Sequence, residues 1–285
     1  MARAIKTVGV VGLGAMGSGI AQLAIEAGFD TVGHEVDLPR AEAARDRIAH
    51  FLTRKVDKGQ LDQAARDAAV GRLHLTTELA DLAGCDVVIE AAFEDLAVKH
   101  QLFRELEGVL ADDAIVATNT SALSVTEIAS VLERPGRAVG MHFFNPAPLM
   151  PLVEIVRAER TADDVFEAAF TLGGQLGKTP IRCSDTPGFV VNRVLIPLLN
   201  DCVRLLDETG VTPEDLDAGM RYGAGWPMGP CSLLDLVGAD VHVHASEALY
   251  EKLREPRMAP PPRLVRMLQA GKLGRKTGEG FYTYP

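Results

Sequence analysis

The stretch Thr7-Val8-Gly9-Val10-Val11-Gly12-Leu13-Gly14-Ala15-Met16-Gly17 decides the fold of this 285-residue chain. A short β-branched run leads into a GxGxxG pattern, and residues 18–28 then carry apolar side chains at helical spacing. Between a strand and a helix, this pattern is typical of a dinucleotide-binding loop. Gly12 would permit the tight turn, Gly14 would let the backbone approach a pyrophosphate, and Gly17 would let helix and strand pack closely. A glycine-rich turn without a ligand is the weaker alternative.

Strand-like and helical segments alternate along the first two thirds of the chain. Further apolar runs lie at residues 30–33, 85–91, 114–118, 138–144, 152–156 and 181–183, with helical segments at 38–60, 96–110, 125–132 and 161–177. This alternation predicts an α/β fold, a Rossmann-type doubly wound parallel sheet with a mixed edge. From Pro187 onward the spacing is helical, with Pro197 expected to kink the first helix. We therefore predict two domains, residues 1–186 and a smaller all-helical C-terminal domain, residues 187–285.

An acidic residue follows the second strand at the offset of a ribose-binding carboxylate. Glu35 stands roughly twenty residues after the glycine loop, so we expect it to bind the adenosine ribose. A carboxylate repels a 2′-phosphate, which favours NAD over NADP as the cofactor. Asp37 is a competing candidate, and Arg40 nearby weakens the inference. His34 is interpreted as an exposed strand-end residue.

Polar residues also follow two later strands, at the edge of the sheet where ligands bind. Glu90, Glu94 and Lys99 follow the strand at 85–91. Either acid could contact a ligand or cap the next helix. The segment Asn119-Thr120-Ser121-Ala122-Leu123 follows the next strand. Its hydroxyls and amide could bind a substrate or serve as ordinary helix N-caps, so its role stays open on these grounds.

A histidine and a glutamate flank a proline-rich loop. His142 ends one apolar run, Asn145-Pro146-Ala147-Pro148 follows, and Glu154 lies near the start of the next run. The loop is shorter than a parallel crossover needs, so the two runs should pair antiparallel and fold Glu154 back towards His142. A histidine oriented by a carboxylate is a common general acid/base. From this stretch alone, a buried histidine satisfied by an acidic neighbour is equally compatible.

Composition excludes several other classes of protein. The net charge of −10 argues against a nucleic-acid binder, and no apolar run reaches the length of a membrane span. The N-terminal residues 1–6 leave no room for a secretory signal, so we expect a cytoplasmic, bacterial protein. The four cysteines form no close pair and are expected to be reduced core thiols. His242 and His244 would not share a helix face, so we expect no metal site.

The helix at 38–60 is rich in cations, although the protein as a whole is acidic. The simpler interpretation is a solvated helix face. The alternative is a local patch for a phosphate-bearing substrate. The cations are Arg40, Arg45, Arg47, Arg54, Lys55 and Lys58.

Motifs along nearly the whole chain carry a family resemblance. They are Gly12-Leu13-Gly14-Ala15-Met16-Gly17, Asn119-Thr120-Ser121, His142-Phe143-Phe144-Asn145-Pro146, Leu152-Val153-Glu154, Pro187-Gly188-Phe189-Val190-Val191-Asn192-Arg193, Pro227-Met228-Gly229-Pro230 and Gly274-Arg275-Lys276-Thr277-Gly278. In order and spacing they resemble the 3-hydroxyacyl-CoA dehydrogenase family, and most closely its short bacterial members that act on 3-hydroxybutyryl-CoA.

The resemblance implies an NAD-dependent oxidation of L-3-hydroxyacyl-CoA to 3-ketoacyl-CoA, and the reverse, within fatty acid metabolism. His142 would be the base that takes the proton of the 3-hydroxyl while hydride leaves C3 for the nicotinamide. Glu154 would orient His142, and Ser121 and Asn192 would hydrogen-bond the substrate at the catalytic site.

Cofactor and partner contacts follow from the same resemblance. Lys55 or Lys58 would contact the phosphates of coenzyme A. Independently of the resemblance, a largely apolar helical half after a nucleotide-binding domain often closes the cleft and joins subunits, so we expect a homodimer. The glycine loop, with Leu13, Ala15 and Met16, would hold NAD, together with Glu35, Glu94, Lys99, Asn145 and Lys276.

Three positions depart from the family pattern. Ala122 stands where the family usually has a second serine, Trp226 where it often has a smaller or polar residue, and Glu35 where aspartate is common. Two other functions stay open: a dehydrogenase of a free hydroxy acid or sugar acid, as in the gulonate dehydrogenases, and a non-catalytic NAD-binding protein.

Overall fold

A computed structural model of the protein describes residues 5–285. Residues 1–4, on which part of the expectation about a secretory signal rests, lie outside the described residues. The chain divides into two compact units, one ending at Thr186 and the other running from Pro187 to Pro285. Among the described residues, no helix is long and apolar enough to cross a membrane.

The first unit alternates strands and helices. Its strands are β1 (Thr7–Val11), β2 (Asp30–His34), β3 (Leu73–Thr76), β4 (Val87–Glu90), β5 (Ile115–Thr118), β6 (Ala138–Phe143), β7 (Leu152–Arg157) and β8 (Thr179–Ser184). Its helices are α1 (Ala15–Glu26), α2 (Leu38–Asp57), α3 (Gln63–Gly71), α4 (Leu96–Val109), α5 (Val125–Ala129) and α6 (Asp163–Gln175).

All eight strands form one sheet in the order β3-β2-β1-β4-β5-β6-β7-β8. The pairs from β3 to β6 are parallel, β7 runs antiparallel to β6, and β8 runs parallel to β7. The predicted doubly wound sheet with a mixed edge is therefore confirmed. The strand order turns back at β1 and β4, and this is where ligands bind in such sheets.

Each face of the sheet is covered by helices because the central strands are apolar on both sides. On one face, Val8 and Val10 of β1 pack in a core with Ile20 of α1. On the other face, Val88 of β4 packs in a core with Phe103 of α4. These two cores fix the strand ends that carry the polar residues.

The structure differs from the sequence-based expectations in three places of this unit. Strand β3 and helix α3 were not predicted, because β3 is a four-residue edge strand and α3 buries only Ala69. His34 is buried, not exposed as interpreted, and burial lowers the pKa of its imidazole. The error arose because β2 pairs on both sides, with β1 and β3, at this residue.

The second unit is helical. Its helices are α7 (Val191–Thr209), α8 (Pro213–Ala218), α9 (Pro230–Val237), α10 (Ala239–Leu253) and α11 (Pro262–Gln269). Leu199 and Val203 of α7 pack with Leu234 of α9 and Leu264 of α11.

A buried polar cluster lies inside this helical unit. Asn200 of α7 accepts a hydrogen bond at its Oδ1 from His242 Nε2 of α10, at 2.8 Å. Its amide nitrogen donates to the carbonyls of Arg257 and Met258, at 3.1 and 3.2 Å. Asn200 thus links two helices and a loop, and its hydrogen-bonding groups are satisfied away from water.

Candidate active site

The glycine loop has the geometry of a phosphate-binding turn. Gly12 has a φ of +83°, and a Cβ there would lie 2.9 Å from the Ala91 carbonyl oxygen. A Cβ on Gly17 would lie 1.8 Å from the Gly12 carbonyl oxygen. A Cβ on Gly14 would instead point into open space, away from the rest of the described chain, and Gly14 begins α1 without a side-chain cap from the described residues. The α1 amides can therefore approach an anion, and the loop fits the pyrophosphate of NAD.

Glu35 lies against this loop, as expected of the ribose-binding acid. Its Oε2 accepts a hydrogen bond from the Leu13 amide and its Oε1 from the Val36 amide, both at 2.9 Å. The competing candidate, Asp37, caps α2 by accepting from the Arg40 amide at 2.8 Å. The geometry favours Glu35 over Asp37 for the ribose, although the contact itself stays a prediction.

Three charged residues at the end of β4 form a mostly buried cluster. Lys99 is 1% exposed, and its ammonium donates to Glu90 Oε1 at 2.6 Å and lies 3.2 Å from Glu94 Oε2. Glu90 is fully buried and also accepts from the Thr118 hydroxyl at 2.6 Å. Lys99 therefore compensates two carboxylates. Its predicted contact with NAD, and that of Glu94, stay predictions.

Glu94 ties this cluster to the segment that follows β5. Its Oε1 accepts from the Thr120 hydroxyl at 2.6 Å, the Ser121 amide at 2.9 Å and the Ala122 amide at 3.2 Å. Burial alone would raise the pKa of Glu94, but the Lys99 charge and the Thr120 and Ser121 hydrogen bonds hold it below its ordinary value. A charged Glu94 thus fixes the backbone that carries Ser121.

His142 and Glu154 meet across the β6–β7 pair. The strands pair antiparallel, as the short loop predicted, and the two residues are direct partners in the register. Both are buried. The His142 Nδ1–H donates to Glu154 Oε2 at 2.7 Å. A proton exchanged with a substrate would therefore pass through Nε2. Asn119 accepts from the Phe143 amide at 2.9 Å, and this bond joins the Ser121 segment to β6.

A cavity of about 700 Å³ lies between α1, α2 and the β6–β7 loop. Lys55 and Lys58, the predicted phosphate contacts, both line it, and so does Asn145. Lys55 is ion-paired with Glu26 of α1. The Lys58 side chain has no hydrogen bond or ion pair to any of residues 5–285. Further lining side chains are Arg47, Arg54, Phe51, Pro148 and Leu149.

Sequence reasoning identified the α2 cations but missed the apolar half of this cavity. Phe51 and Leu149 are 52% and 75% exposed, which is unusual for side chains of this size. Their exposure cannot be read from the sequence. The available signal was a proline-rich loop directly after β6.

Two of the predicted site residues belong to the second unit. Asn192 is the second residue of α7 and is half-buried. Lys276 forms an ion pair with Asp240, with its ammonium 2.6 Å from Oδ1. The substrate contact of Asn192 and the NAD contact of Lys276 stay predictions.

Comparison with known proteins assigns both units to one family. The model of the 3-hydroxyacyl-CoA dehydrogenase NAD binding domain matches residues 7–186, and that of the 3-hydroxyacyl-CoA dehydrogenase C-terminal domain matches residues 188–284. The chain is similar to 3-hydroxybutyryl-CoA dehydrogenase of Mycobacterium tuberculosis, with 44% identity covering 100% of both proteins.

Two further matches agree. A probable 3-hydroxybutyryl-CoA dehydrogenase of Deinococcus radiodurans is 42% identical, covering 97% of this chain and 99% of that protein. The crystal structure of (S)-3-hydroxybutyryl-CoA dehydrogenase from Ralstonia eutropha superposes with a TM-score of 0.96 at 39% identity, covering 99% of this chain and 100% of that one.

Proposed function

This chain belongs to the 3-hydroxyacyl-CoA dehydrogenase family, and we propose that its substrate is the short-chain ester L-3-hydroxybutyryl-CoA. As a family member it is an NAD-dependent oxidoreductase that interconverts 3-hydroxyacyl-CoA and 3-ketoacyl-CoA. The proposed chain length rests on the names of full-length relatives. The observation that carries the proposed chemistry is the buried His142–Glu154 pair.

In the proposed mechanism, His142 Nε2 takes the proton of the 3-hydroxyl during oxidation and returns it during reduction. Glu154 holds the ring through Nδ1 and balances the positive charge that the ring gains. NAD, when bound, supplies the hydride acceptor. General acid–base help of this kind is worth roughly 10²–10⁴-fold in rate.

The coenzyme A part of the substrate is proposed to occupy the cavity along α2. Its volume and its four cations suit a large, phosphate-bearing ligand, which a free hydroxy acid is not. We favour Lys58 and Arg54 over Lys55 as phosphate contacts, because Glu26 already neutralises Lys55. A large cavity with cations that are not all neutralised therefore favours coenzyme A esters over free acids.

The remaining site residues are proposed with the roles that the family resemblance implies. Ser121 and Asn192 would hydrogen-bond the substrate. The glycine loop, Glu35 and Asn145 would hold NAD, with Glu94, Lys99 and Lys276 as further contacts.

We also propose that the protein is a cytoplasmic homodimer acting in fatty acid metabolism. Support for self-association comes from exposed apolar side chains on the helical unit, such as Val194 and Val241, which are 63% and 50% exposed. Isologous association of such patches is the commonest form of oligomer. Sedimentation at working concentration tests this, and a monomeric mass would exclude it.

Steady-state kinetics test the proposed function directly. The wild-type protein should reduce acetoacetyl-CoA with NADH, prefer NADH to NADPH, and lose efficiency as the acyl chain lengthens. Free acetoacetate and free sugar acids should be poor substrates. NADH binding without turnover of any 3-ketoacyl-CoA would contradict the proposal, and so would faster turnover of a free acid.

A further inference from the structure

Lys178 is a buried cation outside the candidate active site. It lies between α6 and β8 and is 9% exposed. Its ammonium donates to the Ala147 carbonyl at 2.6 Å and to the Met150 carbonyl at 2.9 Å. A buried ammonium is costly unless it is hydrogen-bonded, so these two bonds tie Lys178 to the β6–β7 loop.

The loop segment that Lys178 contacts is one helical turn. The Pro146 carbonyl accepts from the amides of Leu149 and Met150, both at 3.0 Å. Cations commonly cap the carbonyl end of a helical turn, and Lys178 does so here.

Helix α1 holds the same turn from the opposite side. A Cβ at Gly19 would lie 2.9 Å from Pro148 Cδ and 3.1 Å from Ala147 Cβ, so the turn packs directly on the helix backbone. The turn is thus fixed between α1 and the α6–β8 connection.

The outer surface of this turn is a wall of the α2 cavity. Pro148 and Leu149 line the cavity together with Phe51 and Lys58. Such exposed apolar side chains bind a ligand well only if their backbone is ordered beforehand, because ordering it on binding costs affinity.

We propose that Lys178 is a positioning residue for coenzyme A recognition, which orders the 146–150 turn so that Pro148 and Leu149 contact the phosphoadenosine end of the substrate. The inference rests on the proposed function. Lys178 touches neither the reacting atoms nor the cofactor loop, so its loss should affect KM for the coenzyme A ester and leave kcat nearly unchanged.

The test compares Lys178→Met, Lys178→Gln and Lys178→Arg on two substrates. One substrate is acetoacetyl-CoA, and the other is acetoacetyl-pantetheine, which lacks the phosphoadenosine end. Lys178→Met should raise KM for acetoacetyl-CoA about tenfold, with kcat within about twofold of wild type. The pantetheine ester should be nearly unaffected, Lys178→Gln should be intermediate, and Lys178→Arg should restore most of the preference for coenzyme A.

Lys272→Met is the matched control, since Lys272 is a surface lysine paired with Glu279. NADH titration by fluorescence shows that each variant is folded. If Lys178→Met fails to fold, the comparison of Lys178→Gln with Lys178→Arg decides.

An equal rise in KM for both esters in the Lys178 variants would overturn the positioning role, and so would an unchanged KM for acetoacetyl-CoA. Wild-type protein that turns over neither ester would instead overturn the proposed function, so the two failures are distinguishable.

Discussion

Two of the buried histidines, one from each unit, differ in the partner that holds the ring. His142 in the sheet and His242 in the helical unit are 5% and 4% exposed. Each has one ring nitrogen in a short hydrogen bond, at 2.7 Å to the Glu154 carboxylate and at 2.8 Å to the Asn200 amide oxygen.

The difference teaches that burial does not make a histidine catalytic, whereas the charge of its partner can. A carboxylate can balance the charge of an imidazolium, and Glu154 places one beside His142. An amide cannot balance that charge, and burial lowers the pKa of His242 to about 4. His242 is therefore a neutral structural group at physiological pH.

Removing the His142 ring should have the largest effect on turnover. His142→Ala should lower kcat by roughly 10²–10⁴-fold, the usual worth of a general acid/base, while NADH binding survives. Steady-state kinetics measure kcat, and a fluorescence titration measures NADH binding. The control is His74→Ala at an exposed histidine of β3. Full activity of His142→Ala would remove the distinction between the two histidines.

Lowering the pH should destabilise the folded protein through His242. The pKa of His242 is lowered in the folded protein, so only the unfolded chain takes up this proton between pH 6.5 and about 4. The contribution of His242 to the free energy of unfolding is complete above pH 6.5 and is lost as the pH falls. The loss is about 3 kcal/mol, at 1.36 kcal/mol per pKa unit.

Urea unfolding at pH 7 and pH 4.5 measures this loss. His242→Gln should flatten the pH dependence of the free energy of unfolding. His244→Gln should not, because His244 is exposed on the same helix. An identical pH dependence in both variants would show that other groups carry it.

Converting the first pair into a copy of the second should have a smaller effect than removing the ring. Glu154→Gln places an amide beside His142, as Asn200 stands beside His242, and should lower kcat about tenfold because the imidazolium loses its counter-charge. Glu159→Gln, at an exposed residue after β7, is the control. A normal pH–rate profile in Glu154→Gln would mean that Glu154 is only structural.

The charge of the partner should also distinguish the two cavity lysines, Lys55 and Lys58, and here we expect the smallest effect. Lys58→Ala should raise KM for acetoacetyl-CoA several-fold, about 1 kcal/mol at roughly 1.4 kcal/mol per tenfold, and Lys55→Ala should raise it less. Glu26→Gln should lower KM, since it releases Lys55 from its ion pair. Arg45→Ala, outside the cavity lining, is the control. A higher KM in Glu26→Gln would contradict the pairing argument.

Much of the fold could be predicted from the sequence because its central strands are apolar runs separated by helical patterns. The antiparallel pairing of β6 with β7 was predicted from loop length alone and is confirmed. Strand β3 and helix α3 could not be predicted, since neither buries a continuous apolar face. Their stability comes from tertiary contacts that the local pattern does not contain.

The positions of site residues could be predicted where a strand places them. They could be predicted less well where the orientation of a long side chain depends on tertiary contacts. His142 and Glu154 are placed by the sheet. Lys99 lies in the first turn of α4, and nothing in its spacing indicates that its ammonium turns inward to Glu90. Phe51 and Leu149 form a cavity wall only because separate segments meet there.

The pairing of β6 with β7 also bears on how such an enzyme can be altered. A one-residue slip would turn His142 away from Glu154, so the backbone pairing from Gly140 to Phe143 preserves the contact between the two residues. The turn at 146–150 lies outside that pairing and has its own support from Lys178. On the proposed roles, the acid–base pair and the recognition of the coenzyme A thioester belong to separate stretches of one hairpin. A designer could graft a different turn between these strands to change the substrate and keep the acid–base pair in place.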